Sequence, residues 1–60
     1  MSRRAVDAIF QALFNLSDLR ALMRETAPDH DMDEEQKQRA AKYIEKAKRQ
    51  LAIIEKELVE

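Results

Sequence analysis

The stretch AAKYIEKAKRQLAIIEKEL, residues 40–58, decides the fold of this chain. It contains neither glycine nor proline, and its apolar residues recur at steps of four and three, the spacing of one face of an α-helix. These residues are Ala40, Ile44, Ala47, Leu51, Ile54 and Leu58. Such a row predicts a helix that packs along this face against another helix.

The first half of the chain carries a matching row, and a helix breaker separates the two halves. The row is Ala5, Ile9, Ala12, Leu16, Leu19 and Met23. The breaker is Pro28, the single proline, which cannot continue a helix. We therefore predict one all-α domain over residues 1–60, with helix 1 at about 2–27, a loop at about 28–32 and helix 2 at about 33–60, folded as an antiparallel hairpin.

Local capping chemistry predicts where each helix starts. Ser2 suits the N-cap of helix 1, and either Asp31 with Glu34 or Asp33 with Gln36 suits a capping box at the start of helix 2. An alternative start exists within helix 1, where Asn15 and Ser17 could cap a new helix at Asp18. We favour a continuous helix, because the apolar row passes through this point without a change of phase.

Folding the chain back on itself gives a register in which each alanine of one row meets a larger residue of the other. Charges at the open end agree with this direction. The expected ion pairs are Arg3 and Arg4 with Glu57 and Glu60, and Asp7 with Lys56.

Chain size argues against a lone hairpin. Sixty residues bury too little surface to be stable easily, and no cysteine and only one histidine are present for disulfides or a metal. Helix 1 also carries more apolar surface than one row consumes. We predict a homodimer that forms a four-helix bundle. The predicted protein interface includes Val6, Phe10 and Leu13, which flank the row of helix 1. It also includes Phe14 and Leu22, which lie on the side of helix 1 away from the seam and could contact either the second subunit or another protein.

The predicted plan resembles that of the Rop family of small plasmid copy-control proteins, which are dimers of helical hairpins. The resemblance is one of architecture and implies RNA as a ligand to consider. Helix 2 offers a basic face for RNA or DNA, formed by Arg39, Lys42, Lys46, Arg49 and Lys56. The competing interpretation is an ordinary solvated face, with Glu35 and Glu45 each four residues before an arginine.

Other functional classes find little support. The serines have no base at catalytic spacing, so we expect no catalytic site and no cofactor. The acids around His30 lack the glycine of a calcium loop and a second zinc ligand, so capping explains them better than a metal. Arg20 lies within the apolar arc, where Glu45, Glu34 or Glu35 could pair with it, or its stem could pack while its head stays in water.

The chain has a net charge of -1 with 38% charged residues, and no apolar run is long enough for a membrane span. Its first residues lack the pattern of a targeting peptide, and we expect a cytoplasmic location. We expect a non-enzymatic assembly, adaptor or regulatory protein that acts through contacts between helices. The alternatives are a nucleic-acid-binding regulator and an obligate small subunit or chaperone of a larger complex.

Overall fold

A computed structural model describes residues 2–60 and contains two α-helices. Helix α1 spans Arg3–Glu25 and helix α2 spans Glu34–Leu58, and they pack against each other. The predicted all-α hairpin is confirmed. Because α1 is uninterrupted, no new helix starts after Asn15 or Ser17.

The dimensions show how the helices are arranged. A helix of 25 residues such as α2 is about 37 Å long. The whole hairpin measures 40 × 16 × 13 Å. The helices therefore lie side by side, and since the loop reverses the chain, they run antiparallel.

Both helix starts follow the predicted capping chemistry. The Ser2 hydroxyl accepts a hydrogen bond from the Ala5 N–H at 3.0 Å. At α2 the N-cap is Asp33: its carboxylate accepts from the Gln36 N–H at 2.8 Å, and the Gln36 side chain accepts from the Asp33 N–H at 3.0 Å. This reciprocal pair satisfies two backbone donors that the first turn of a helix leaves free.

The end of α1 also has a local cause. The Thr26 hydroxyl donates to the carbonyl oxygens of Leu22 and Met23, at 3.1 and 3.2 Å, so α1 ends at Glu25 rather than near residue 27. His30 then takes a left-handed backbone conformation, with φ of 59°. Its N–H donates to the Thr26 carbonyl at 2.8 Å, which closes the turn.

The helices meet along a row of small residues, which we call the inner row. Its buried members are Ala5, Ala8, Ala12, Asn15 and Leu22 of α1, with Ala40 and Ala47 of α2. Half-buried residues at the intervening turns continue it, namely Leu19 of α1 and Gln36, Tyr43, Gln50 and Ile54 of α2. Within residues 2–60, Leu22 is the largest side chain that is fully buried.

The predicted rows are therefore confirmed at Ala5, Ala12, Ala40 and Ala47, which are buried, and wrong at several of the large residues. Four residues assigned to the seam are exposed by 42 to 57%, namely Leu16, Ile44, Leu51 and Leu58. On α1 the buried positions step from Ala5 to Ala8 and Ala12, not through Ile9. Buried alanines alternate along the contact with larger residues such as Leu22 and Ile54, whereas the four exposed residues lie beside the contact instead of in it.

The predicted ion pairs at the open end of the hairpin are not formed among the described residues. The ion pair that joins the two helices lies instead near the loop, between Glu25 and Arg39. The charges at the open end remain exposed, and packing of the inner row determines the register.

We expect Asp33→Ala to destabilise the hairpin by about 1 kcal/mol, because it removes the acceptor of the capping box. Urea or thermal unfolding followed by circular dichroism would measure the change. Asp31→Ala removes the same charge two residues earlier and should change stability by less than about half as much. Equal losses for the two variants would contradict a specific cap at Asp33.

Candidate functional site

The most distinctive surface of the hairpin is a set of large apolar side chains that the inner row leaves outside. Three of these large residues directly follow an inner-row residue: Leu16 follows Asn15, Ile44 follows Tyr43, and Leu51 follows Gln50. One residue turns an α-helix by about 100°, so these side chains leave their helices on a consistent side of the contact.

Antiparallel packing brings these two sets to the same side of the hairpin. When two helices run in opposite directions, residues that follow the contact row on each helix share one side, and residues that precede it share the other. The large apolar residues of the shared side are Ile9, Leu13 and Leu16 of α1 with Ile44, Leu51 and Leu58 of α2, and we call these six the apolar face. The charged residues Lys37, Lys48 and Glu55 also follow inner-row residues and lie along its α2 edge. All are exposed except Ile9, which is half-buried.

The opposite side, which we call the polar face, supports this assignment directly. Glu25 precedes Thr26 and Arg39 precedes Ala40, and their side chains form two hydrogen bonds across the hairpin at 3.3 and 3.4 Å. The same register brings Asp18 to the level of Lys46. The polar face is thus lined mainly by complementary charges, with Ile53 as its apolar exception.

The guanidinium of Arg39 is held in its charged form by its neighbours. Hydrogen bonding to the Tyr43 side chain, followed by hydrogen bonding and charge attraction to Glu25, raises the pKa of Arg39 above its ordinary value. Arg39 therefore remains a cation at any physiological pH. The Arg39 side chain already takes part in the contact between the helices, so it is less free to bind a ligand.

Accessible area gives the size of the uncovered surface. The chain exposes 4843 Å², whereas a compact monomer of 7.0 kDa exposes roughly 4,000 Å². Its radius of gyration is 13.6 Å, against roughly 10 Å for a compact chain of this length. The excess of roughly 800 Å² equals what one partner typically contributes to a stable protein interface.

The residues predicted for a protein interface separate into three groups. Leu13 lies on the apolar face and Val6 is half-buried at its edge. Phe10 and Phe14 are exposed by 57 and 63%, on the outer side of α1. Leu22 was predicted to lie away from the seam, and this is wrong, because it is fully buried between the helices.

The predicted basic face is reduced by ion pairing within the chain. Arg39 bonds to Glu25, and Arg49 bonds to Glu45 at 3.0 Å, four residues earlier as the spacing suggested. Lys42, Lys46 and Lys56 are exposed. Two of the five predicted cations therefore form ion pairs with carboxylates of the same chain, which weakens the attraction of this face for phosphates.

Arg20 stands at the edge of the apolar face and is exposed. It forms none of the three ion pairs recorded for residues 2–60, so the predicted pairing with a glutamate of α2 is not found there. Its head group is in water in the isolated hairpin, in agreement with the alternative that its stem alone packs.

Other kinds of site are not seen in the described part of the chain. Residues 2–60 form no pocket and bring no three potential metal ligands together. Neither α1 nor α2 combines the length and hydropathy required to cross a membrane. Among the surfaces of residues 2–60, the apolar face is thus the strongest candidate for a functional site.

Sequence reasoning identified the residues of the apolar face but assigned most of them to the wrong contact. On α1 a signal was present, because Ile9 and Leu13 directly follow the buried residues Ala8 and Ala12. On α2 the large residues follow Tyr43 and Gln50, and no such signal is present. A helix with apolar residues at both the contact row and the next position is typical of a helix with more than one neighbour.

Comparisons of the chain with protein-family models, curated proteins and solved structures found no match.

We expect the Glu25–Arg39 bridge to contribute less than about 1 kcal/mol to stability, because both side chains are partly in water. A double-mutant cycle with Glu25→Gln and Arg39→Gln, measured by urea unfolding, isolates the coupling between them. The Glu45 and Arg49 pair provides a control within one helix, with a coupling of a few tenths of a kcal/mol. A Glu25–Arg39 coupling well above 1 kcal/mol would show that this bridge, and not the inner row, holds the hairpin together.

Proposed function

We propose that this chain is a non-enzymatic assembly module that forms a homodimer through its apolar face, as a four-helix bundle. The exposed row of Leu16, Ile44 and Leu51, together with Leu13 and Leu58, carries the proposal. Contiguous apolar patches of this kind on small soluble proteins mark contacts with other proteins or with membranes.

A second copy suits this face because of its shape and area. One broad side of the hairpin, 40 × 16 Å between backbone atoms, provides with its side chains roughly the 800 Å² per partner of a standard interface. Covering it would bury five large apolar side chains in each copy. At about 25 cal/mol per Å², this burial adds apolar stabilisation to a hairpin whose fully buried inner-row residues are mostly alanine.

The proposed dimer leaves a second surface available for another protein. Phe14 lies on the outer side of α1, away from both the inner row and the apolar face, and Phe10 lies one helical turn before it. Exposed aromatic residues are favoured anchors of protein contacts. We therefore assign self-association to the apolar face and contact with a foreign protein to Phe14, which gives the module an adaptor or regulatory role.

Sedimentation equilibrium at micromolar concentration should give the mass of a dimer. Leu16→Glu and Leu51→Glu should each raise the dimer dissociation constant at least about 100-fold, because each places two charges in an apolar contact. Gln11→Glu and Gln38→Glu add the same charge on α1 and α2 outside the apolar face and should leave the dimer intact.

Phe14→Ser should also leave the dimer intact, since Phe14 lies outside the self-association surface. A folded monomer of the natural chain at these concentrations would refute the proposed dimer. Loss of the dimer in Phe14→Ser but not in Leu16→Glu would show that self-association uses the outer side of α1 instead.

A further inference from the structure

The two edges of the apolar face differ in polarity, and this difference selects how a second copy docks. This step rests on the dimer proposed above. With two-fold symmetry, two hairpins can meet face to face in two ways. The loops lie at the same end when α1 covers α2 of the second copy, and at opposite ends when α1 covers α1 and α2 covers α2.

The edge formed by α1 is almost entirely apolar. Val6 and Leu13 lie on its outer side, about one and three turns along from the start of the helix, and Ile9 and Leu16 lie further in. Arg20 and Arg24 are the charged residues at this edge, both towards the loop, and their exposed head groups can remain in water.

The edge formed by α2 is charged. Lys48 and Glu55 lie on its outer side, four residues after Ile44 and Leu51 respectively. Glu34 lies on the same line, nearer the loop. All three side chains are exposed. A contact that covers this edge with an apolar partner would remove charges from water without pairing them, which is unfavourable.

We propose that two copies dock with their loops at opposite ends, so that α1 packs antiparallel against α1 of the second copy. This arrangement joins apolar edge to apolar edge and leaves the charged edges of the two α2 helices together at a hydrated rim. The arrangement with loops at the same end would instead place each charged α2 edge on an apolar α1 edge, twice in the dimer.

The midpoint of α1 provides a self-complementary contact in this dimer. Arg3–Glu25 is centred at Phe14, so a two-fold axis at this level brings Leu13 of each copy beside Leu16 of the other. The same axis brings Arg20 to the level of Phe10 of the second copy. A guanidinium over the face of a phenyl ring is a favourable contact, and it gives the unpaired Arg20 a neighbour that the isolated hairpin does not offer.

Distances between paired spin labels test this docking directly, because the chain has no cysteine and one substitution places one label in each copy. With Asp31→Cys in the loop, loops at opposite ends give a separation close to the 40 Å length of the hairpin. Loops at the same end give roughly 20 Å, about two distances between neighbouring helix axes.

A second label position serves as the matched control, because the proposed docking predicts a short distance there and a long distance at the loop. With Ser17→Cys on the outer side of α1, adjacent α1 helices give roughly 15 Å, whereas diagonal α1 helices give roughly 30 Å. A short loop distance with a long Ser17 distance would overturn the docking while leaving the dimer standing. Sedimentation of the labelled variants is measured first, and a monomer there would refute dimer and docking together.

The contact between Arg20 and Phe10 has a separate test. Arg20→Gln should raise the dimer dissociation constant roughly threefold or more, since each dimer contains the contact twice. In a Phe10→Leu background the same substitution should have no further effect. Both residues are exposed in the hairpin, so its folding is preserved. Full additivity of the two substitutions would show that these side chains do not meet.

Discussion

The packing of α1 against α2 along the inner row, where buried alanines of one helix lie opposite larger residues of the other, is the contact on which the rest of this structure depends. Ala5, Ala8 and Ala12 of α1 are buried in one line. The register fixed by Glu25 and Arg39 places this line opposite the last turns of α2, and it places Ala40 and Ala47 opposite the second half of α1. Small side chains let the backbones lie close, so many weak dispersion contacts form along the length of the hairpin. They also bury little apolar area, and Leu22 is the largest fully buried side chain of the described residues.

This contact determines what every larger side chain does. A residue such as Leu51 does not fit between closely spaced helices, so it leaves the contact on the side where α1 places Leu13 and Leu16. The opposite side receives the residues that precede the contact row, and there Glu25 and Arg39 form their hydrogen bonds. One close contact therefore sorts the hairpin into an apolar face and a polar face. The apolar face follows from the alanine row as directly as the hairpin itself does.

Local chemistry could be predicted from the sequence, and the phase of packing could not. Ser2 and Asp33 cap the helices because each supplies a side-chain acceptor before a helical segment, and that requires no knowledge of the partner helix. The contact row was different. A helical repeat is matched equally by Ala5, Ile9 and Ala12 and by Ala5, Ala8 and Ala12. The row with the larger residue is the one predicted, because a larger side chain buries more area. Which of these two rows forms the contact depends on how the helices pack against each other, and that packing is a property of the tertiary structure. The Glu25–Arg39 bridge was missed for the same reason, since it depends on which residues precede the true contact row.

The distribution of charges between the two faces bears on the proposed self-association of the hairpin. On the polar face the complementary charges Glu25 and Arg39 lie within one copy, so they are satisfied before any second copy arrives, and a hydrated ion pair gains little from being covered. At the α2 edge of the apolar face Glu34 and Lys37 form an ion pair at 4.0 Å within one helix, whereas Arg20 at the α1 edge has no carboxylate partner among residues 2–60. A second copy therefore has reason to cover one broad side of the hairpin and little reason to cover the other. This asymmetry favours a closed pair over an open stack of hairpins, because a stack would require both faces to be adhesive.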